Sequence, residues 1–118
     1  MPQYIETKQV KEKVVLVGAI LGRQTEALVS EYLDELEFLV DTAGGETMRR
    51  FTQKLDRPDP ATFIGKGKFE EITAYVKEHE IDLVVFDDEL SPSQHRNLER
   101  TLKCRVIDRS NLILDIFA

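Results

Sequence analysis

A chain of 118 residues, 42% hydrophobic and 32% charged, fits one compact domain that buries its own core without a disulfide or metal staple. Its single cysteine, Cys104, excludes an intramolecular disulfide and any multi-cysteine zinc site, and its formal net charge of −6 argues against non-specific coating of nucleic acid. No apolar run approaches the ~20 residues that span a bilayer, and the polar start "MPQYIETKQVKEK" lacks a signal-peptide h-region, so a soluble, cytoplasmic protein without a membrane partner is expected.

After the polar arm, residues 13–20 ("KVVLVGAI") form a short β-branched run suited to a strand buried on both faces. Thr25 is a fair N-cap for a helix reaching about Ala43. Leu28, Tyr32, Leu36, Leu39, Val40 and Ala43 recur at spacings of three and four, which predicts one apolar stripe. Acidic residues fill much of the rest, and Gly44-Gly45 is the stop. Residues 46–55 read as a second strand interrupted by Arg49-Arg50. A loop follows over residues 56–68, "DRPDPATFIGKGK", with two prolines and two glycines.

A second helix is predicted over about residues 68–80, its buried stripe marked by Phe69, Ile72, Val76 and His79. Residues 82–86 ("DLVVF") make a third strand ending in Asp87-Asp88-Glu89. Ser91-Pro92-Ser93-Gln94 is a helix start, with a serine cap, proline at the first helical position and glutamine at the third. That helix runs to about Lys103 with Leu98 and Leu102 inward, and residues 104–108 ("CRVID") are a fourth strand. The chain then stops in the apolar run "NLILDIFA", which reads as a helix continuing in a longer protein, with Leu112, Ile113, Ile116 and Phe117 folding back or packing on a neighbour. The order β-α-β-α-β-α-β demands parallel strands and right-handed crossovers. The expected fold is a single three-layer α/β domain with a four-stranded, mostly parallel sheet, order 2-1-3-4, and helices on both faces.

Charge is unevenly spread. Residues 49–68 carry Arg49, Arg50, Lys54, Arg57, Lys66 and Lys68 against Asp56 and Asp59, a net of +4, which leaves −10 for the rest. Within that segment Gly65-Lys66-Gly67-Lys68 sits where a loop enters a helix, a place where unpaired N–H groups and the helix dipole favour anions. It is not a Walker loop: the required earlier glycine is replaced by Pro60 or Thr62, and Ser or Thr does not follow either lysine. From residue types alone, a structural turn is the simpler account and a phosphate site the alternative.

Asp87 and Asp88 stand past the third strand, where open α/β sheets bind ligands. A phosphoacceptor receiver would need further acids after the first strand, and "GAILGR" has none. The pair instead reads as complementing the dipole of the third helix. His79 and His95 have no ligand-spaced partner and read as surface or boundary residues, and Cys104 as a small buried hydrophobe rather than a nucleophile.

The segment "TQKLDRPDPATFIGKGKFEEI", residues 52–72, closely resembles the best-known N-domain motif of the HflX GTPase family. "VVFDDELSPSQHRNLE" and "VIDRSNLILDIFA" are similar to that family's third strand with its helix, and to its run from the last strand into a linker helix. The resemblance implies an HflX-like N-terminal α/β domain over residues 1–109 and the start of a linker helix over residues 110–118. It implies a parent GTPase whose absent G domain binds GTP and Mg2+, with no cofactor and no catalysis in this chain. It also implies partners: the large ribosomal subunit, reached through ribosomal RNA, and the protein's own G domain and linker; the apolar C-terminal run adds the expectation of homo-oligomer contacts through that helix. The implied role is recognition and regulation; the alternative is a small ATP-binding domain with weak RNA-remodelling activity of its own. Arg57, Gly65, Lys66, Gly67 and Lys68 are the candidate RNA or phosphate contacts.

Overall fold

The computed structural model describes residues 11–117, the side chain of Phe117 excepted. Its elements are β1 (Lys13–Leu21), α1 (Glu26–Thr42), β2 (Glu46–Leu55), α2 (Lys66–Glu78), β3 (Leu83–Phe86), α3 (Pro92–Leu102), β4 (Arg105–Asp108) and α4 (Arg109–Phe117). The four strands pair in the order β2-β1-β3-β4, all parallel, as the alternation of strands and helices predicts. One face of the sheet is covered by α1 and α4 and the other by α2 and α3, so each face closes its own apolar layer.

The central position of β1 explains its sequence. Val14 to Ile20 carry apolar side chains to both layers, and Gly18 lets α1 sit close: a Cβ there would lie 3.2 Å from Leu33 Cδ2 and 3.3 Å from Val29 Cγ1. That close approach fixes the rotation of α1. Val29, Leu33, Leu36 and Val40 are buried, whereas Leu28, Tyr32 and Leu39 only flank the core and Ala43 is the exposed C-cap. The predicted stripe is therefore displaced by about one residue at its start, because spacing alone does not say which of two adjacent 3–4 ladders faces a glycine.

Arg49 and Arg50 interrupt β2 because it is an edge strand. The register slips at Met48, which is bulged out between Thr47 and Arg49. Beyond the bulge, Arg50 turns to α1 and reaches Asp34 at 2.7 Å and Glu37 at 3.0 Å. Arg49 lies over the Phe51 and Tyr75 rings on the α2 face. Charged side chains and a bulge are ordinary protection for an exposed edge.

The predicted boundaries shift slightly elsewhere. α2 begins at Lys66 rather than 68, with Ile72 and Val76 buried and His79 a half-buried C-cap stacked on Tyr75. α3 has the reciprocal Ser91–Gln94 capping box read from the sequence, and ends at Lys103 in the left-handed region. β4 runs into α4 without a loop. Asp108 accepts from Asn111 N–H at 3.0 Å while Asn111 Oδ1 accepts from Asp108 N–H at 3.3 Å, so strand end and helix cap are one residue. Leu112 is buried against the α1 layer and Ile116 packs on it, while Ile113 and Leu114 are exposed.

Candidate functional site: a rigid basic loop beside the sheet edge

In a parallel sheet the loops following each strand gather at one edge. β1 and β2 remain paired to Leu21 and Leu55, whereas β3 leaves β1 at Val17, so the first two strands project beyond the others as a ribbon. Two side chains satisfy the β1 N–H groups exposed by that departure. Asp88 Oδ2 accepts from Ala19 N–H at 3.2 Å and Gln24 Oε1 from Leu21 N–H at 2.9 Å. Burial pushes the Asp88 carboxyl above the usual carboxylate range, against the Ala19 hydrogen bond. Asp87 instead receives Arg109, whose guanidinium also donates to Tyr32 O at 2.6 Å and lies 3.5 Å from Glu35. The expectation that these two acids complement the α3 dipole is thus corrected. One caps a strand, the other anchors α4 to β3 and α1.

The loop after β2 is closed on itself. Asp59 and Phe63 exchange backbone hydrogen bonds, and Asp59 Oδ1 accepts from Ala61 N–H at 2.7 Å and Thr62 N–H at 3.1 Å. Gln94 Nε2 and Asn97 Nδ2 of α3 donate to Asp59 O and Ala61 O. Phe63 takes φ of 68°, a conformation costly for an aromatic residue, and is held there by burial and by an edge contact with Phe86. Pro58 and Pro60 restrict the chain on either side of Asp59. The central part of the motif is structural, and its result is a fixed platform.

At the end of the platform Gly65 caps α2. Its N–H donates to Gln53 Oε1 at 2.8 Å, and an added Cβ would come within 2.8 Å of Gln53 Nε2. Gly67 is different: a Cβ there meets nothing within 4 Å, and its φ is not positive. No side chain caps α2, and the first intrahelical bond is Phe69 N–H to Gly65 O, which leaves the N–H groups of Lys66, Gly67 and Lys68 pointing out.

The basic residues of the segment divide into two sets. Arg50 is paired as above, and Arg49 and Lys68 share Glu71 at 3.6 and 2.9 Å. Lys54, Arg57 and Lys66 are exposed and in no ion pair among the described residues. Of the five candidate residues, Gly65 is the N-cap of α2, Lys66, Gly67 and Lys68 make its first turn, and Arg57 lies on the loop leading to it. The other singled-out residues lie apart. His95 Nε2 contacts Val106 O, and His79 Nδ1 lies 3.2 Å from Tyr75 O. Cys104 is half-buried, and desolvation followed by Glu99 and Asp82 pushes its thiol up to about 11, which keeps it protonated and poorly nucleophilic. Among the described residues no three His, Cys, Asp or Glu side chains are grouped to hold a metal, and no helix is long and apolar enough to cross a membrane.

Sequence reasoning did not single out Gln53, Gln94 or Arg109 as positioning residues. Gln94 had a signal, its place in the capping box; the other two act across sequence separations that no local pattern carries.

The family model described as "GTP-binding GTPase N-terminal" matches residues 30–118. The chain belongs to the HflX N-terminal domain family. It is 55% identical to the GTPase HflX of Flavobacterium psychrophilum over 107 residues, 91% of this chain and 26% of that protein. It is 47% identical over 118 residues to the GTPase HflX of Lacrimispora saccharolytica, covering 100% of this chain and 27% of the relative. The corresponding figures for Escherichia coli GTPase HflX are 51% over 88 residues, 75% and 21%. The chain thus spans about a quarter of the length of these curated HflX relatives. Among solved structures it is similar to a GTP-binding protein from Sulfolobus solfataricus in complex with GDP. The TM-score is 0.66 at 22% identity, over 91% of this chain and 30% of that one, a likeness of fold.

Proposed function

We propose that this HflX N-terminal domain is a recognition and regulatory module that contacts the large ribosomal subunit through ribosomal RNA. The observation that carries this reading is the rigid platform of residues 56–65, which presents Arg57 and Lys66 without carboxylate partners beside the uncapped first turn of α2. Cations displayed in this way address phosphates by charge and position rather than by base identity. Gly67 leaves that first turn open to approach, since neither space nor backbone conformation requires a glycine there.

The family resemblance supports the remaining assignments, which belong to the same proposal. The parent is a cytoplasmic GTPase, and its GTP and Mg2+ sites belong to a G domain in the part of the protein that the curated relatives have beyond the matched quarter. In this reading residues 1–109 form the module and residues 110–118 begin the linker. Ile113 and Leu114 on α4 offer apolar surface to the G domain, to the linker or to a second copy. In this reading hydrolysis belongs to the G domain and not to this domain.

The experiment is the double substitution Lys66→Ala with Lys68→Ala in the full-length protein, after circular dichroism establishes that it is folded. Reduced affinity for large subunits and a shallower salt dependence support the reading. Affinity and salt slope equal to wild type make the turn purely structural. Calorimetric titration with ATP separates the nucleotide-binding alternative, which requires saturable binding well below millimolar.

A further inference from the structure

The RNA-contact reading above rests on the loop after β2, yet the fold places two more cations against the same strand end. β2 ends at Leu55, opposite Leu21. Gly22 N–H donates to Leu55 O at 3.3 Å, which lays the turn that carries Arg23 against the start of the chain that carries Arg57. Two residues back on β2, Gln53 holds Gly65 and hence Lys66. Between these, Lys54 stands opposite Ile20 and shares a strand face with Arg50, which turns toward α1. Lys54 thus lies within the last three residues of β2, and the segments that carry Arg23, Arg57 and Lys66 attach to the same strand end, Lys66 by way of the α2 face and Lys54 on the α1 face. All four cations, Arg23, Lys54, Arg57 and Lys66, are exposed and in no ion pair among the described residues.

The nearby acids offset part of this charge but pair with none of the four among the described residues: Asp59 Oδ1 accepts from two loop N–H groups, and Asp56 and Glu26 are exposed, which leaves each cation free to meet an incoming phosphate. The β1–β2 ribbon, which carries Lys54 and ends next to the segments that carry Arg23 and Arg57, runs past the end of β3, so these cations lie at a projection rather than in a cleft. A mononucleotide needs a concave site that removes most of its surface from water. A phosphate backbone needs only charges spaced along an accessible ridge.

We infer that the projecting end of β1 and β2 is the RNA-contacting element, and that Arg23 and Lys54, together with Arg57 and Lys66, bind the phosphate backbone. Lys68 lies outside the set, because Glu71 already holds it. The inference rests on the proposed RNA contact and extends it across the sheet to the β1–α1 turn.

The test uses the full-length protein and purified large ribosomal subunits across a salt series. Three variants are compared: Arg23→Ala with Lys54→Ala, Arg57→Ala with Lys66→Ala, and Lys68→Ala alone. Arg23→Gln with Lys54→Gln repeats the first with longer polar side chains, so that a folding defect is separated from a lost charge. Each true phosphate contact removes roughly 0.7–0.9 from the slope of log affinity against log salt, so each double variant should flatten it by roughly 1.4–1.8. Lys68→Ala should leave it unchanged. If the Arg57/Lys66 pair flattens the slope and the folded Arg23/Lys54 pairs match wild type, the extension is overturned while the loop reading stands. If neither pair has an effect, both fail. If the Arg23/Lys54 pair weakens ATP binding and spares the subunits, the projection is a nucleotide site and the inference is again overturned.

Discussion

Gln53 reaches from the edge strand to the backbone of Gly65, its Oε1 2.8 Å from the amide nitrogen that opens α2. That bond joins the second strand to the basic turn and sets where Lys66 leaves the surface. Gln53→Ala should cost about 1 kcal/mol, the usual net worth of a hydrogen bond, with part of the loss from an unpaired and half-buried N–H. Chemical denaturation measures it. A variant as stable as wild type would mean that the loop holds its position without this contact.

The two glycines of the turn should behave oppositely. Gly65→Ala places a Cβ 2.8 Å from Gln53 Nε2, so the bond must break or the helix start must shift. Gly67→Ala meets open space and replaces the poorer helix former, so it should be neutral or stabilising by up to about 1 kcal/mol. Thermal unfolding of both variants checks the contrast. Equal destabilisation would show that Gly67 serves the turn after all.

Arg109 ties α4 to β3 and α1 through Asp87, Tyr32 O and Glu35. Arg109→Ala leaves Asp87, which is mostly buried, without its cation, and should cost about 2–3 kcal/mol. Asp87→Asn keeps an acceptor and should cost less. Hydrogen exchange on α4 should accelerate in the first variant. Unchanged protection there would mean that Leu112 alone docks the helix.

The Asp88 carboxyl is raised by burial, so the folded state holds its proton more tightly than the unfolded chain. Its stabilising contribution is therefore complete below the unfolded carboxylate pKa and is lost as pH rises through the higher folded value. Asp88→Asn, which retains an acceptor for Ala19 N–H, should be as stable as wild type or more so at neutral pH, with the advantage shrinking as pH falls. Denaturation midpoints from pH 3 to 8 measure this. An Asn variant that is weaker at neutral pH than at low pH would contradict the assignment.

Much of this architecture is legible in the residues. The β-branched run of β1, the Thr25 cap, the Ser91–Gln94 box and the strand–helix alternation give element types, strand order and layers, because each is a local or periodic signal. What escaped was set by distant partners. The rotation of α1 depends on the absence of a side chain at Gly18, and the role of Asp87 on Arg109, 22 residues later. Within the candidate site the sequence shows six cations together. Only the fold shows that Glu71, Asp34 and Glu37 hold three of them, while Lys54, Arg57 and Lys66 remain unpaired among the described residues.

The role proposed for this domain is to bring the parent protein to the large ribosomal subunit. The most direct measurement is co-sedimentation of large subunits with the full-length protein and with a form lacking residues 1–118, both loaded with the same guanine nucleotide. The account predicts that removing the domain lowers subunit affinity at least tenfold and flattens its salt dependence, while nucleotide binding persists. Equal affinity and equal salt dependence for the two forms would contradict it.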